Sequence, residues 1–229
     1  MKKNDIIAVL ILGEIASWLG LAVLRGFLKP ELYAKFSGTL TIGLPIIFPL
    51  ACLVFIYLTL KIGQKISVVA EAGKFVLIGG FNTLADWGIL SFLIFFSKKS
   101  LNLNTNDIMF EILSVSIVYY SLFKAISFVI ATTNSYFWNK FWTFRRKTTE
   151  KAGKEFLQFI TVSIFGFLIN VGIASMVFKF IAPFGGLSLD QWGIVCAAIA
   201  TVISMVWNFL GYKFIVFEKR NEQQPGNLS

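Results

Sequence analysis

Apolar residues run along this chain in long, nearly unbroken blocks rather than in stripes of helical or strand period. Six blocks reach the roughly 20 residues that a helix needs to cross a hydrocarbon core. They are Ile6–Leu28, Gly38–Leu60, Phe75–Phe96, Ile112–Phe137, Phe156–Ile181 and Trp192–Phe214. Lys2 and Lys3 ahead of the first block suggest a signal peptide. The block outlasts signal length, contains Glu14 and has no small-residue cleavage site, so the first helix is expected to be retained. Pro45 and Pro49 are expected to kink the second span, with neighbouring helices meeting the freed carbonyls.

Composition strengthens this pattern and removes most chemistry. The 229 residues are 56% hydrophobic and 14% charged, with a mean hydropathy of +0.75, 25 phenylalanines and no histidine. A soluble domain carries about 25% charged residues. The fold class is therefore an all-α integral membrane protein with six transmembrane helices. Without histidine there is no imidazole base, no Ser-His-Asp set and no His-containing metal site. Cys52 and Cys196 lie inside apolar blocks and read as small core residues. The acidic residues form no Asp-rich run for a metal and nucleotide sugar, and no glycine-rich phosphate loop follows a strand pattern. The chain is thus expected to be neither an enzyme nor the holder of a metal or cofactor.

Charge supplies orientation. Lys2, Lys3, Lys61, Lys65, Lys74, Lys140, Arg145, Arg146, Lys147, Lys151, Lys154, Lys213, Lys219 and Arg220 fall on one side, 14 in all. Arg25, Lys29, Lys35, Lys98, Lys99 and Lys179 make 6 on the other, and Lys124 lies within the fourth span. The imbalance places both termini and the basic loop from Lys140 to Lys154 in the cytoplasm. Much of the +9 net charge is this topology signal. The Arg145-Arg146-Lys147 cluster also suits anionic lipid headgroups. Nucleic acid is not an expected partner, because the basic residues hug helix ends with no soluble fold to carry them.

The third and fifth blocks repeat one another. Phe75, Asp86 and Gly88 correspond in spacing to Phe159, Asn170 and Gly172. The fourth and sixth end alike, in Lys140-Phe141-Trp142-Thr143-Phe144 and Lys213-Phe214-Ile215-Val216-Phe217. Upstream, Asn134-Ser135 is echoed one position displaced by Trp207-Asn208. A duplicated unit of two spans enters the membrane in the same direction each time, so the repeats are parallel. The organisation expected is an additional N-terminal hairpin over 1–65, a duplicated four-helix domain over 74–217 with repeats of about 74–144 and 156–217, and a polar cytoplasmic tail over 218–229.

Three charged residues stand inside spans: Glu14, Asp86 and Lys124. An acid at a helix centre costs about 2.5–3.5 kcal/mol on insertion scales, so it should face protein or a water-filled path. Asn82 lies one turn before Asp86 on the same face. With Asn134 and Asn139 it suggests a polar patch toward the cytoplasmic half. Asn170 and Asn208 supply a thinner patch in the second repeat. Each asparagine also has a plainer reading as interhelical hydrogen bonding. Glu14 is expected to pair with a cation of the bundle, and Lys124 to reach an interface along its stem. The aromatics of 138–144 suit an interfacial belt. Asn139, Lys140 and Arg145 among them can hold a phosphate while apolar surface holds an acyl or isoprenyl chain.

The run Phe75-Val76-Leu77-Ile78-Gly79-Gly80-Phe81-Asn82-Thr83-Leu84-Ala85-Asp86, with Asn134-Ser135-Tyr136-Phe137-Trp138-Asn139-Lys140-Phe141-Trp142-Thr143-Phe144, resembles the GtrA-like family. Asn170 and the segment from Trp207-Asn208 to Phe217 resemble it too. The resemblance covers about Lys74 to Phe217; the N-terminal hairpin is extra. It implies a small four-span protein of cell-surface polysaccharide synthesis, similar to the membrane module of some dolichol-phosphate-mannose synthases. It further implies translocation of polyprenyl-phosphate-linked sugars or support of the glycosyltransferase that makes them, in a bacterial or archaeal plasma membrane. Asn82, Asp86, Asn139, Lys140 and Arg145 match the family's recurrent polar positions.

Three functions follow as expectations. The first is a flippase for a polyprenyl-phosphate sugar, with Lys140, Arg145 and Lys213 on the phosphate and Asn82, Asp86, Asn134 and Asn139 on the sugar or steadying the cations. The second is a non-transporting scaffold that recruits a membrane-associated glycosyltransferase and presents polyprenyl phosphate. The third is a proton-coupled small-solute transporter using Asp86. Membrane lipids are partners in every case. Six short helices enclose little volume, so a homo-oligomer or a complex fits each.

Overall fold

The computed structural model describes residues 1–112, 115–146 and 152–218. Positions 113–114 of the expected fourth span, Lys147 and Lys151 of the basic loop, and the expected tail from 219 onward lie outside the described residues. Six α-helices are described: α1 (Lys3–Phe27), α2 (Pro30–Ile62), α3 (Ser67–Phe96), α4 (Tyr119–Trp138), α5 (Ala152–Phe180) and α6 (Leu189–Gly211). A five-residue π-helical turn continues three of them, at Ser97–Leu101 after α3, Asn139–Thr143 after α4 and Tyr212–Val216 after α6. The chain divides into two compact units, 1–145 and 146–229.

Local chemistry sets the first boundaries. Leu28 is extended and ends α1, Lys29 precedes a proline and is kept out of the helix, and Pro30 opens α2 where its missing N–H is harmless. The α2 helix runs without interruption through Pro45 and Pro49. Five segments are long and apolar enough to cross a membrane: Lys3–Gly26, Pro30–Ile62, Ser67–Leu101, Ala152–Phe180 and Val195–Val216. The α4 helix is not among them. Its Lys124 and its serines, threonines and Asn134 lower the hydropathy, and Ser127 is fully buried.

One departure from a purely helical chain concerns the expected fourth span. Its first residues form a hairpin instead, with β1 (Ile108–Ile112) antiparallel to β2 (Val115–Val118), and α4 starts only at Tyr119. The pairing runs Ile108 to Val118, Phe110 to Ile117, Glu111 to Ser116 and Ile112 to Val115, with an irregularity between Ile108 and Phe110. The β-branched Val115, Ile117 and Val118 suit a strand as well as they suit a hydropathy window.

In the first unit α3 packs on α1, α2, α4 and the Asn139–Thr143 turn. Val9, Leu12 and Ala16 from α1, Cys52 and Ile56 from α2, and Ile78 and Phe81 from α3 form the buried core with Trp142. Lipid is as apolar as these side chains, so close van der Waals packing rather than escape from water holds such helices together. Accordingly the helices touch at small residues. A Cβ on Gly13 would stand 2.7 Å from the Cα of Pro49. Ile42, Ile46 and Ile47 of α2 are exposed, as lipid-facing positions must be. In the second unit α5 pairs with α6 and with the Tyr212–Val216 turn.

Candidate functional site

Two polar clusters lie along α3. One centres on Asp86, whose Oδ2 forms an ion pair with Lys124 and whose Oδ1 accepts a 2.7 Å hydrogen bond from Ser127 Oγ. The Lys124 side chain keeps 40% of its surface exposed. Lys124 therefore turns to an acid of the bundle rather than to an interface. Glu14 does the reverse of its expectation: it is exposed and accepts a 2.8 Å bond from Trp18 Nε1 on its own helix.

The second cluster joins the beginnings of α1 and α3 to the turn after α4. Asp5 and Lys74 form an ion pair, both almost fully buried. Trp142 Nε1 donates to the same Asp5 oxygen at 3.0 Å, and Lys74 Nζ lies 4.9 Å from the Trp142 ring centroid. Arg145 Nη2 stands 4.0 Å from the other Asp5 oxygen. Arg145 has φ of 53°, a left-handed backbone that costs a non-glycine residue about 1–2 kcal/mol. Twelve residues of α3 separate Lys74 from Asp86, about 18 Å of helix rise.

Between the clusters runs a seam of unmet polar atoms. Asn82 shares the α3 face of Asp86 at i, i+4, and Asn134 shares the α4 face of Ser127 at i, i+7. Because Ser127 bonds Asp86, both asparagines look into the α3–α4 seam. Asn82 Oδ1 and Asn134 Nδ2 are buried there with no hydrogen-bond partner among the described residues. The same holds for Asn139 Oδ1 and Thr143 Oγ1 in the turn below. An unpartnered buried polar atom costs about 1–3 kcal/mol, so four in one unit ask for a polar occupant.

Asn139 also donates to the Ser135 carbonyl at 2.9 Å. Lys140 is fully buried; its Nζ donates to Tyr136 Oη at 3.2 Å and lies 5.5 and 5.8 Å from the Tyr136 and Phe141 ring centroids. Asp86 is met instead by Lys124 and Ser127, and Ser127 lies 13 residues before Lys140 along the α4 segment.

The second unit repeats the turn but not the seam. Lys213 Nζ is 5.8 Å from the rings of both Phe209 and Phe214. Asn170 donates to Thr201 Oγ1 at 3.3 Å and Ser204 Oγ at 3.2 Å, the interhelical bonding of its plainer reading. Asn208 lies against Gly166, where a Cβ would stand 2.1 Å from its Oδ1, and that oxygen is unpartnered. Tyr212 stacks on Phe159 at 4.2 Å and shares a 2.7 Å hydrogen bond with Ser163. An apolar groove of about 380 Å³ runs past Phe165 and Trp207 to Lys154.

The structure thus brings Asn82, Asp86 and Asn134 to one seam, with Asn139, Lys140 and Arg145 at its end. Asn170, Asn208 and Lys213 belong to the other unit. Sequence reasoning missed Asp5, Lys74 as a partner, Ser127 and Thr143. An acid in a first helical turn is ordinary, and only its contact with Lys74, 69 residues away, marks Asp5.

No solved structure matches this chain. The uncharacterized membrane protein YngA of Bacillus subtilis (strain 168) is 29% identical over 163 residues, covering 70% of this chain and 85% of that protein. The family model for the GtrA/DPMS transmembrane domain matches residues 74–217, from Lys74 of the buried ion pair to Phe217, which follows the last π turn. This multi-pass membrane protein belongs to the GtrA/DPMS transmembrane-domain family.

Proposed function

We propose that the protein binds a polyprenyl-phosphate-linked sugar and moves it across the plasma membrane, for cell-surface polysaccharide synthesis or glycosylation. The observation that carries this reading is the α3–α4 seam. It holds unpartnered buried amide atoms of Asn82 and Asn134 between a cationic cluster at its end and the Asp86–Lys124 pair about 18 Å further along α3. Sugar hydroxyls both donate and accept, so they can meet a bare carbonyl oxygen and a bare amide N–H in one groove. A cation at either end of the path gives the phosphate a counter-charge on leaving one membrane face and on nearing the other.

In this reading both termini are cytoplasmic, the two-helix repeats are parallel, and the lipid arrives from a membrane-associated glycosyltransferase. The two π turns on matching Lys-Phe-x-x-Phe segments support the duplication. Lys140 is buried under aromatic rings, so its part is to set the turn, while Arg145 faces the headgroup. Proton-coupled solute transport is less well supported, because both Asp86 oxygens already have partners.

Native mass spectrometry of the purified protein tests the proposal. The parent is expected to retain polyprenyl phosphate or its sugar, and Arg145→Ala and Asn134→Leu to lose it. Absence of lipid from the parent, even when supplied in excess, would overturn the reading. In vesicles, a parent that binds but fails to move labelled lipid-linked sugar would leave the presenting scaffold as the function.

A further inference from the structure

The Asp5 cluster holds more donors than its occupant uses. Asp5 Oδ1 accepts from both Lys74 Nζ and Trp142 Nε1, but Oδ2 lies 4.0 Å from Arg145, beyond hydrogen-bond reach. Arg145 therefore holds its left-handed backbone without a hydrogen bond to this carboxylate. The neighbouring Thr143 hydroxyl is 3% exposed and unpartnered among the described residues. A carboxylate offers two oxygens in a plane. A phosphate offers more, spread over a larger tetrahedron, and takes lysine, arginine and neutral donors together.

We infer that Lys74, Trp142 and Arg145 form a lipid-phosphate site that Asp5 occupies as an internal anion, so that the first turn of α1 closes the site until a phosphate displaces it. The inference rests on the lipid-phosphate reading above and adds its regulation by the N-terminal hairpin. Three features of the chain support it. Lys74, Trp142 and Arg145 belong to the family domain, whereas Asp5 lies 69 residues before its first matched position. Asp5 is in the first turn of its helix, where the Asp5 and Ile6 amides bond to the Lys2 carbonyl at the chain's fraying end, so it can withdraw by local fraying without moving α1 through the membrane. Finally, an apolar groove of about 320 Å³ between α1, α2 and α3 starts within a turn of Lys74 and is lined by Leu12, Phe48, Phe55, Val76, Leu77 and Phe81. An isoprenoid chain lies there when its phosphate sits at Lys74.

The test measures binding of a polyprenyl monophosphate to the full-length protein in lipid nanodiscs. Asp5→Asn keeps the shape and removes the charge, and is expected to bind about tenfold more tightly or better, the scale of coupling between close charges. Asp5→Glu retains a carboxylate and is expected to bind like the parent. Without lipid, Asp5→Asn should melt lower, since Lys74 loses its counter-ion, and lipid should raise its Tm by more than it raises the parent's. A second measurement needs no variant: adding the lipid to the parent should speed hydrogen exchange at the Asp5 and Ile6 amides. A parent that binds lipid, with Asp5→Asn no tighter and exchange at these amides unchanged or slower, overturns the gate and leaves the transport reading standing. Failure of both proteins to bind overturns both. Inorganic phosphate reproducing the shift at equal concentration overturns the lipid assignment.

Discussion

The helix pairs α3–α4 and α5–α6 end in the same device and differ in what lies between the helices. In each, a Lys-Phe-x-x-Phe segment forms a π turn with a lysine lying about 5.5–5.8 Å from two aromatic rings. The α3–α4 seam then carries an ion pair and two asparagines with bare amide atoms, while in the α5–α6 seam Asn170 is met by Thr201 and Ser204 and only the Asn208 oxygen is bare among the described residues. A fully met polar contact between helices is adhesive. An unmet one is a cost that persists where a ligand relieves it. On the proposed function, this difference favours the first pair as the lipid-handling surface.

The largest expected effect tests the charged end of that contrast. Lys74→Met leaves Asp5 buried without its main partner and should cost about 3–5 kcal/mol, read as a large fall in melting temperature in detergent.

Asparagine replacements sharpen the contrast by sign. Asn134→Leu removes an unpartnered buried amide and should hold or raise stability, by up to about 1–3 kcal/mol, while abolishing lipid binding. Asn170→Leu breaks two interhelical bonds and should lower stability by about 0.6–2 kcal/mol with lipid binding intact. Equal signs for the two would dissolve the distinction between the seams.

Glycine replacements give the smallest contrast. Gly13→Ala presses a methyl on the Pro49 backbone, which cannot rotate away, and should cost about 1–3 kcal/mol. Gly166→Ala meets the Asn208 side chain, which can turn aside, so the loss should be the lesser of the two by thermal melting.

Much of the helical layout was legible in the chain. Expected spans such as Phe75–Phe96 and Phe156–Ile181 lie within or overlap α3 and α5, because apolar length alone identifies a segment that lipid accepts. The fourth was misjudged at its start: Val115–Val118 satisfies a hydropathy window while its β-branched residues pair with Ile108–Ile112. The polar residues of the seam could also be chosen from sequence, since Asn82 and Asp86 share a face by period. Their partners could not. The sequence suggests that Asp86 contacts a sugar or steadies the cations of the site, and the fold gives it Lys124 and Ser127.

By itself, then, the sequence determined a histidine-free membrane chain with long apolar helices, a recurring Lys-Phe-x-x-Phe ending and the side chains that a phosphate and a sugar need. Composition and periodicity are local properties, and they suffice for those statements. Only the tertiary structure decided that Asp5 meets Lys74 across 69 residues, that Lys140 is buried and Arg145 is not, and that Asn82 Oδ1 and Asn134 Nδ2 are left bare. Pairing depends on helix register and on close approach at residues such as Gly13, and both are fixed by packing between segments distant in the chain.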